Sequence, residues 1–159
     1  MTTSNNATVE VRHAGDPASA HAHVIFRTLV QTESTMSAIS IFDIFKIGVG
    51  PSSSHTVGPM KAAREFVQSL AALAQPIQRV EVRLHGSLAH TGKGHGTDSA
   101  ILLGLSGKQP DTVDPDSIED LLRRIHKERV LDLPDIGQVA FAPDKDLQFD
   151  FAQELPRHT

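Results

Sequence analysis

The 159-residue chain contains no cysteine, no tyrosine and no tryptophan. Without cysteine it forms no disulfide, offers no thiol nucleophile and supplies no thiolate to an iron–sulfur cluster. Its aromatic residues are seven Phe, 4% of the chain, too few to build a stacking platform for nucleic-acid bases. Positive charge is not in excess either. The 15 Lys and Arg face 19 Asp and Glu, a formal net charge of −4, so nothing steers a polyanion to the surface as a whole. No run approaches the roughly 20 apolar residues of a membrane span, and the N-terminus lacks the basic start and apolar run of a secretory signal. A mitochondrial presequence is poor in acids, whereas the first 35 residues carry Glu10, Asp16 and Glu33 beside only Arg12 and Arg27. These absences leave the cytoplasm as the expected location, with no nucleic-acid or membrane partner.

The remaining composition, 39% hydrophobic and 21% charged, is that of one globular domain with a core of its own. Residues 1–35 are polar, with a single short apolar cluster from Val24 to Val30, and read as a poorly ordered extension. A segment of different character opens at Met36, so the domain is expected to span residues 36–159, with Met36 a candidate start. Ile39 to Val49 is apolar and β-branched, compatible with a buried strand or a short helical turn. Met60, Ala63, Phe66, Val67, Leu70, Ala71 and Ala74 then follow helical spacing, with Pro59 in the first turn. Val80, Val82 and Leu84 alternate with charged residues, predicting a half-buried strand.

Gly86 to Gly96 reads as a Gly-rich loop leading into a second helix, with Thr97 or Asp98 as its cap and Gly107 at its end. A third helix is predicted from Asp114 as N-cap and Pro115, with Ile118, Leu121, Leu122 and Ile125 as its apolar stripe and charges arranged to suit the helix dipole. Gln138 to Ala142 and Leu147 to Phe151, joined by Pro-Asp-Lys-Asp, predict a hairpin. This order gives an α+β domain, a small sheet with helices packed on one face.

Two loops carry the chemistry. Ser52, Ser53, Ser54, His55 and Thr56 place four hydroxyls and an imidazole at a helix start, where free amides and the dipole favour a carboxylate or phosphate. The same positive end disfavours the imidazolium, so His55 is a candidate neutral base. Set against this, serines ahead of a helix commonly serve as turn and cap alone. In the second loop, Gly92, Gly94 and Gly96 alternate with Lys93, His95 and Thr97, which lets backbone approach a ligand closely. The spacing fits neither a Walker loop nor a dinucleotide fingerprint, and a phosphate-ester site there is a weaker reading than a plain connection. His85, His90 and His95 recur every five residues, a period that no strand or helix gathers on one face, so no metal site is expected.

Together, SIFDIFKIGVGPSSSHTVGPMKAA and HGSLAHTGKGHGTDSAILLGLSG closely resemble the N-terminal (beta) domain of the iron–sulfur-dependent L-serine dehydratases, or L-serine ammonia-lyases. The likeness runs from about Met36 to the end of the chain. It implies a beta-domain fold and a reaction in which L-serine gives pyruvate and ammonia without pyridoxal phosphate. It also implies a [4Fe-4S] cluster whose cysteines lie in a following, mostly helical alpha domain, continuous or separate, and a homodimer when complete. The chain is then expected to be a fragment, truncated at its C-terminal end and inactive alone. Carried over by position, His55, His95 and Asp98 are the catalytic candidates. Ser52, Ser53, Ser54, Thr56, Lys93, Gly94 and Thr97 are the candidates for binding substrate. A reading from another class is a serine-binding or regulatory module without catalysis.

Overall fold

A computed structural model describes residues 5–13, 24–27, 50–71 and 76–152. Its first strands are β1 (Asn5–His13) and β2 (Val24–Arg27). Both lie in the stretch expected to be a loose extension, and they depart from it by pairing. Thr8, Glu10 and Arg12 alternate there with Ala7, Val9 and Val11, a strand period that the surrounding polar residues obscure. Ile39 to Val49 and the expected boundary at Met36 lie outside the described residues.

A single π-helical turn (Ser53–Val57) runs into helix α1 (Gly58–Ala71), which buries Met60, Ala63, Phe66, Val67 and Leu70 as its spacing predicts. Strand β3 (Ile77–Gly86) follows, with Val80, Val82 and Leu84 fully buried. It is the centre of the sheet. β1 runs antiparallel to it from Asn5 opposite Gly86 to His13 opposite Ile77, and β2 pairs on the outside of β1.

The segment after β3 corrects the sequence reading. Ser87–His95 is not a loop but helix α2, which Gly96 closes in the left-handed conformation (φ 74°) before helix α3 (Thr97–Leu105) begins. Gly96 is itself the N-cap of α3, so neither the Thr97 nor the Asp98 side chain caps it. At the other end, Gly107 (φ 78°) terminates α3, with the Lys108 amide donating to the Leu103 carbonyl at 3.0 Å. Helix α4 (Pro115–Glu128) has the predicted start, Asp114 accepting from the Asp116 amide at 3.1 Å.

The C-terminal strands pair differently from the expected hairpin. Val130–Leu133 is a strand, β4, joined by a tight turn to antiparallel β5 (Gly137–Ala140). Pro-Asp-Lys-Asp is a short helix, α5 (Pro143–Asp146), because Pro143 suits a first helical turn. It sidesteps the chain, so that β5 pairs parallel with β3 at Arg79 and β6 (Leu147–Phe149) pairs parallel with β3 at Val82 to Leu84. One continuous core joins Phe66, Val67 and Leu70 of α1, Ile101, Leu102 and Leu105 of α3 and Ile125 of α4 to Val80, Val82, Leu84, Leu131, Leu133 and Phe141. Helices cover this face of the sheet, giving the expected α+β architecture.

Asp146 fastens the sidestep. Its Oδ1 accepts from Arg79 Nη2 at 2.6 Å and Nε at 3.2 Å, and its Oδ2 accepts from the Ala142 amide at 2.7 Å. The carboxylate is buried while the Arg79 side chain is 43% exposed, so most of its worth lies in the hydrogen bonds rather than in a screened ion pair. Asp146→Ala is expected to cost about 1.5–3 kcal/mol in urea unfolding. An unchanged unfolding midpoint would contradict this role.

Candidate functional site

Three elements meet at the site: the π-helical turn ahead of α1, the C-terminal half of α2 and the first residue of α3. The turn wraps around the Ser52 carbonyl, which accepts from the His55 amide at 3.3 Å, the Thr56 amide at 2.9 Å and the Thr56 hydroxyl. The Gly58 amide donates to the Ser53 carbonyl, five residues back, which defines the wide turn. This local unwinding turns His55 away from the α1 axis and toward α2.

His55 is held from both ring nitrogens. Nδ1 lies 2.9 Å from the Ser54 hydroxyl and 3.3 Å from the Ser52 hydroxyl, and these two hydroxyls are 3.3 Å apart. Nε2 lies 2.8 Å from the Thr91 hydroxyl on α2. One turn further along α2, the His95 ring stacks on His55 with centroids 4.9 Å apart and planes at 29°, and its Nδ1 lies 2.8 Å from the Thr91 carbonyl. Thr97, fully buried at the start of α3, donates its hydroxyl to the His55 carbonyl at 2.6 Å. Burial lowers the His55 pKa below the ordinary 6.5, the adjacent His95 lowers it further, and the Ser87 carbonyl opposes both. The result is an imidazole biased toward its neutral, proton-accepting form.

The candidates from sequence divide accordingly. Ser52, Ser54, His55, His95 and Thr97 converge. Thr56 turns inward and is buried beneath the turn, its hydroxyl spent on the Ser52 carbonyl. Ser53 is exposed, as are Lys93 and Gly94 on the last turn of α2. Asp98 accepts from the neighbouring Ser99 amide at 2.8 Å. Lys93 and His95 therefore sit on a helix C-terminus, not on the Gly-rich loop expected from the alternating glycines. Of the three histidines with five-residue spacing, His85 is buried near Asp150, His90 is exposed against Phe151, and only His95 belongs to this site.

Thr91 was not among the candidate site residues. Its signal becomes legible only once Ser87–His95 is seen as a helix, because Ser87, Thr91 and His95 are then spaced i, i+4, i+8 on one face.

A family model described as serine dehydratase beta chain matches residues 40–159. The chain is 48% identical over 123 residues to the L-serine dehydratase of Streptomyces coelicolor, covering 76% of this chain and 27% of that protein. It is 49% identical over 123 residues to L-serine dehydratase 1 of Escherichia coli and 52% over 124 residues to L-serine dehydratase 2. In both pairs the match again covers 76% of this chain and 27% of the relative. The chain thus spans about a quarter of the length of the curated relatives it matches.

Proposed function

We propose, from the fact that this chain belongs to the serine dehydratase beta chain family, that it supplies the proton-accepting half of an L-serine ammonia-lyase. The observation that carries the reading is His55, fixed between Ser54 and Thr91 with His95 against its face, inside the matched segment. A neutral imidazole is suited to take the α-hydrogen of L-serine. The C–H electron pair becomes the Cα=Cβ bond as the β-hydroxyl departs as hydroxide, which with the proton taken by His55 leaves as water. The resulting aminoacrylate tautomerises to an imine, which water converts to pyruvate and ammonia. The Ser52 and Ser54 hydroxyls lie beside the same nitrogen and are placed to hold the polar groups of the amino acid.

The chain's own residues do not fit a [4Fe-4S] cluster: there is no cysteine, and no three His, Asp or Glu side chains converge among the described residues. The share of each relative outside the match, together with the sequence resemblance, supports a cluster-bearing alpha domain outside this chain, continuous with it or separate. In this reading the complete enzyme is a cytoplasmic homodimer, and no part of His55's work passes through the cluster.

The test is a chimera, with residues 40–159 replacing the matching segment of E. coli L-serine dehydratase 1, assayed anaerobically for pyruvate. The lowered His55 pKa sets the sign of its pH dependence. A base that stays neutral below pH 6.5 keeps kcat/KM on its plateau there, so the acid limb attributable to His55 is expected below 6.5. An acid limb above that value would contradict the geometry. A non-catalytic serine-binding module would instead leave the chimera folded and bound to serine with no turnover.

A further inference from the structure

Counting protons at His55 fixes which of its nitrogens carries hydrogen. The Thr91 hydroxyl has one hydrogen, and the Ser87 carbonyl 2.9 Å away, which also draws a His55 ring proton, accepts only. If Thr91 donates to Ser87, its oxygen must accept from His55, 2.8 Å away, which places the His55 proton on Nε2. Nδ1 is then an acceptor and takes the Ser54 hydroxyl hydrogen across 2.9 Å. All three contacts are satisfied. The opposite tautomer would turn the Thr91 hydroxyl toward Nε2 and forfeit its bond to Ser87. The same accounting at His95 puts hydrogen on Nδ1, because the Thr91 carbonyl 2.8 Å away also accepts only.

We infer that Thr91 is the positioning residue of this site: anchored to the Ser87 carbonyl, it holds the His55 proton on Nε2 and leaves Nδ1, facing Ser52 and Ser54, as the nitrogen that receives a proton. This deepens the proposed function and rests on it for catalysis, though the tautomer itself does not. With its tautomer set in advance the base needs no proton shuffle, and its Nδ1 lone pair is freed when the Ser54 hydroxyl turns to the substrate, the role an orienting partner plays for a catalytic histidine elsewhere. Thr91 is solvent-exposed on a regular helix, so its replacement leaves the core intact. His95 is the titratable group that faces the ring, and it stacks on the face rather than competing for either nitrogen.

The experiment uses the full chain labelled with ¹⁵N-histidine. Two-bond ¹⁵N–¹H correlation spectra, recorded at a pH where His55 is neutral, read its tautomer directly. The parent and Thr91→Ser are expected to show His55 protonated on Nε2, and Thr91→Val to lose that preference with its backbone amide spectrum otherwise preserved. If Thr91→Val fails to fold, Thr91→Ala serves the same comparison. A parent protonated on Nδ1, or a Thr91→Val that keeps the Nε2–H form, would overturn the inference. In the chimera, Thr91→Val is expected to lower kcat by at least about tenfold with little change in KM, and Thr91→Ser to restore it. The expected tautomer shift with unchanged kcat would leave the positioning intact and overturn the reading of His55 as base.

Discussion

In the chimera that carries residues 40–159, His55→Ala is expected to lower kcat for L-serine at least about a hundredfold, while KM changes little. General bases contribute about 10² to 10⁴ in rate, and an interaction made only in the transition state appears in kcat rather than in KM. In the proposed reading His55, held at its ring nitrogens by Ser54 and Thr91, accepts the proton, and the Ser52 and Ser54 hydroxyls hold the ground-state substrate. Ser54→Ala is therefore expected to raise KM more than it lowers kcat. Serine deuterated at Cα sharpens the distinction. Loss of the base slows proton removal specifically, so the isotope effect on kcat should grow in His55→Ala and stay near the parent value in Ser54→Ala. Near-normal turnover in His55→Ala would transfer the role to His95, whose ring stacks on the same face.

The second large effect is on stability and lies one layer beneath the site. At Gly104, α3 crosses α1 so closely that a Cβ would stand 2.2 Å from the Met60 carbonyl oxygen and 2.9 Å from the Ala63 Cβ. Backbone cannot yield as a flexible side chain does. Gly104→Ala is expected to destabilise the protein by about 2–3 kcal/mol, at the upper end of the usual cost of overpacking and against the gain Ala normally brings to a helix interior. The consequence reaches the site, because α1 grows out of the turn that carries His55 and α3 begins at Thr97, whose hydroxyl holds the His55 carbonyl. Prising the two helices apart loosens that bond. Urea unfolding measures the stability loss, and the His55 ring resonances report the local change. A midpoint equal to or above the parent would contradict the close crossing.

The elements legible in the sequence were those whose pattern and packing agree. α1 and α4 show an apolar stripe at helical spacing, and Asp114 with Pro115 starts α4 with the cap its sequence announces. β3 alternates because one of its faces meets the core and the other carries Arg79, Glu81 and Arg83. The Ser52–Thr56 cluster stands out through its residue types alone, and the structure brings Ser52, Ser54 and His55 of it into contact. α2 was not legible, because Gly92, Gly94 and Gly96 argue against a helix on propensity. Tertiary contact overrides that propensity: a Cβ at Gly92 would stand 2.9 Å from the Thr97 hydroxyl oxygen, so glycine there lets α2 lie against the start of α3. The same glycines hide Thr91, since the spacing of Ser87, Thr91 and His95 has meaning only on a helix. β4 is four residues long and begins directly after Arg129, which takes a left-handed turn at φ 54°. So short a strand offers too little alternation to separate it from a loop. The pairing of β5 and β6 with β3, rather than with each other, depends on α5, and its four residues read equally well as a hairpin turn.

Pyruvate formation from L-serine by the cluster-loaded chimera, beside the isolated chain treated in the same way, tests the central claim most directly. The account predicts turnover in the chimera and none in the isolated chain, because His55 and its hydroxyl partners are present in both while a cluster's thiolates are absent from the chain. A folded, cluster-loaded chimera that makes no pyruvate, or pyruvate from the isolated chain, would contradict it.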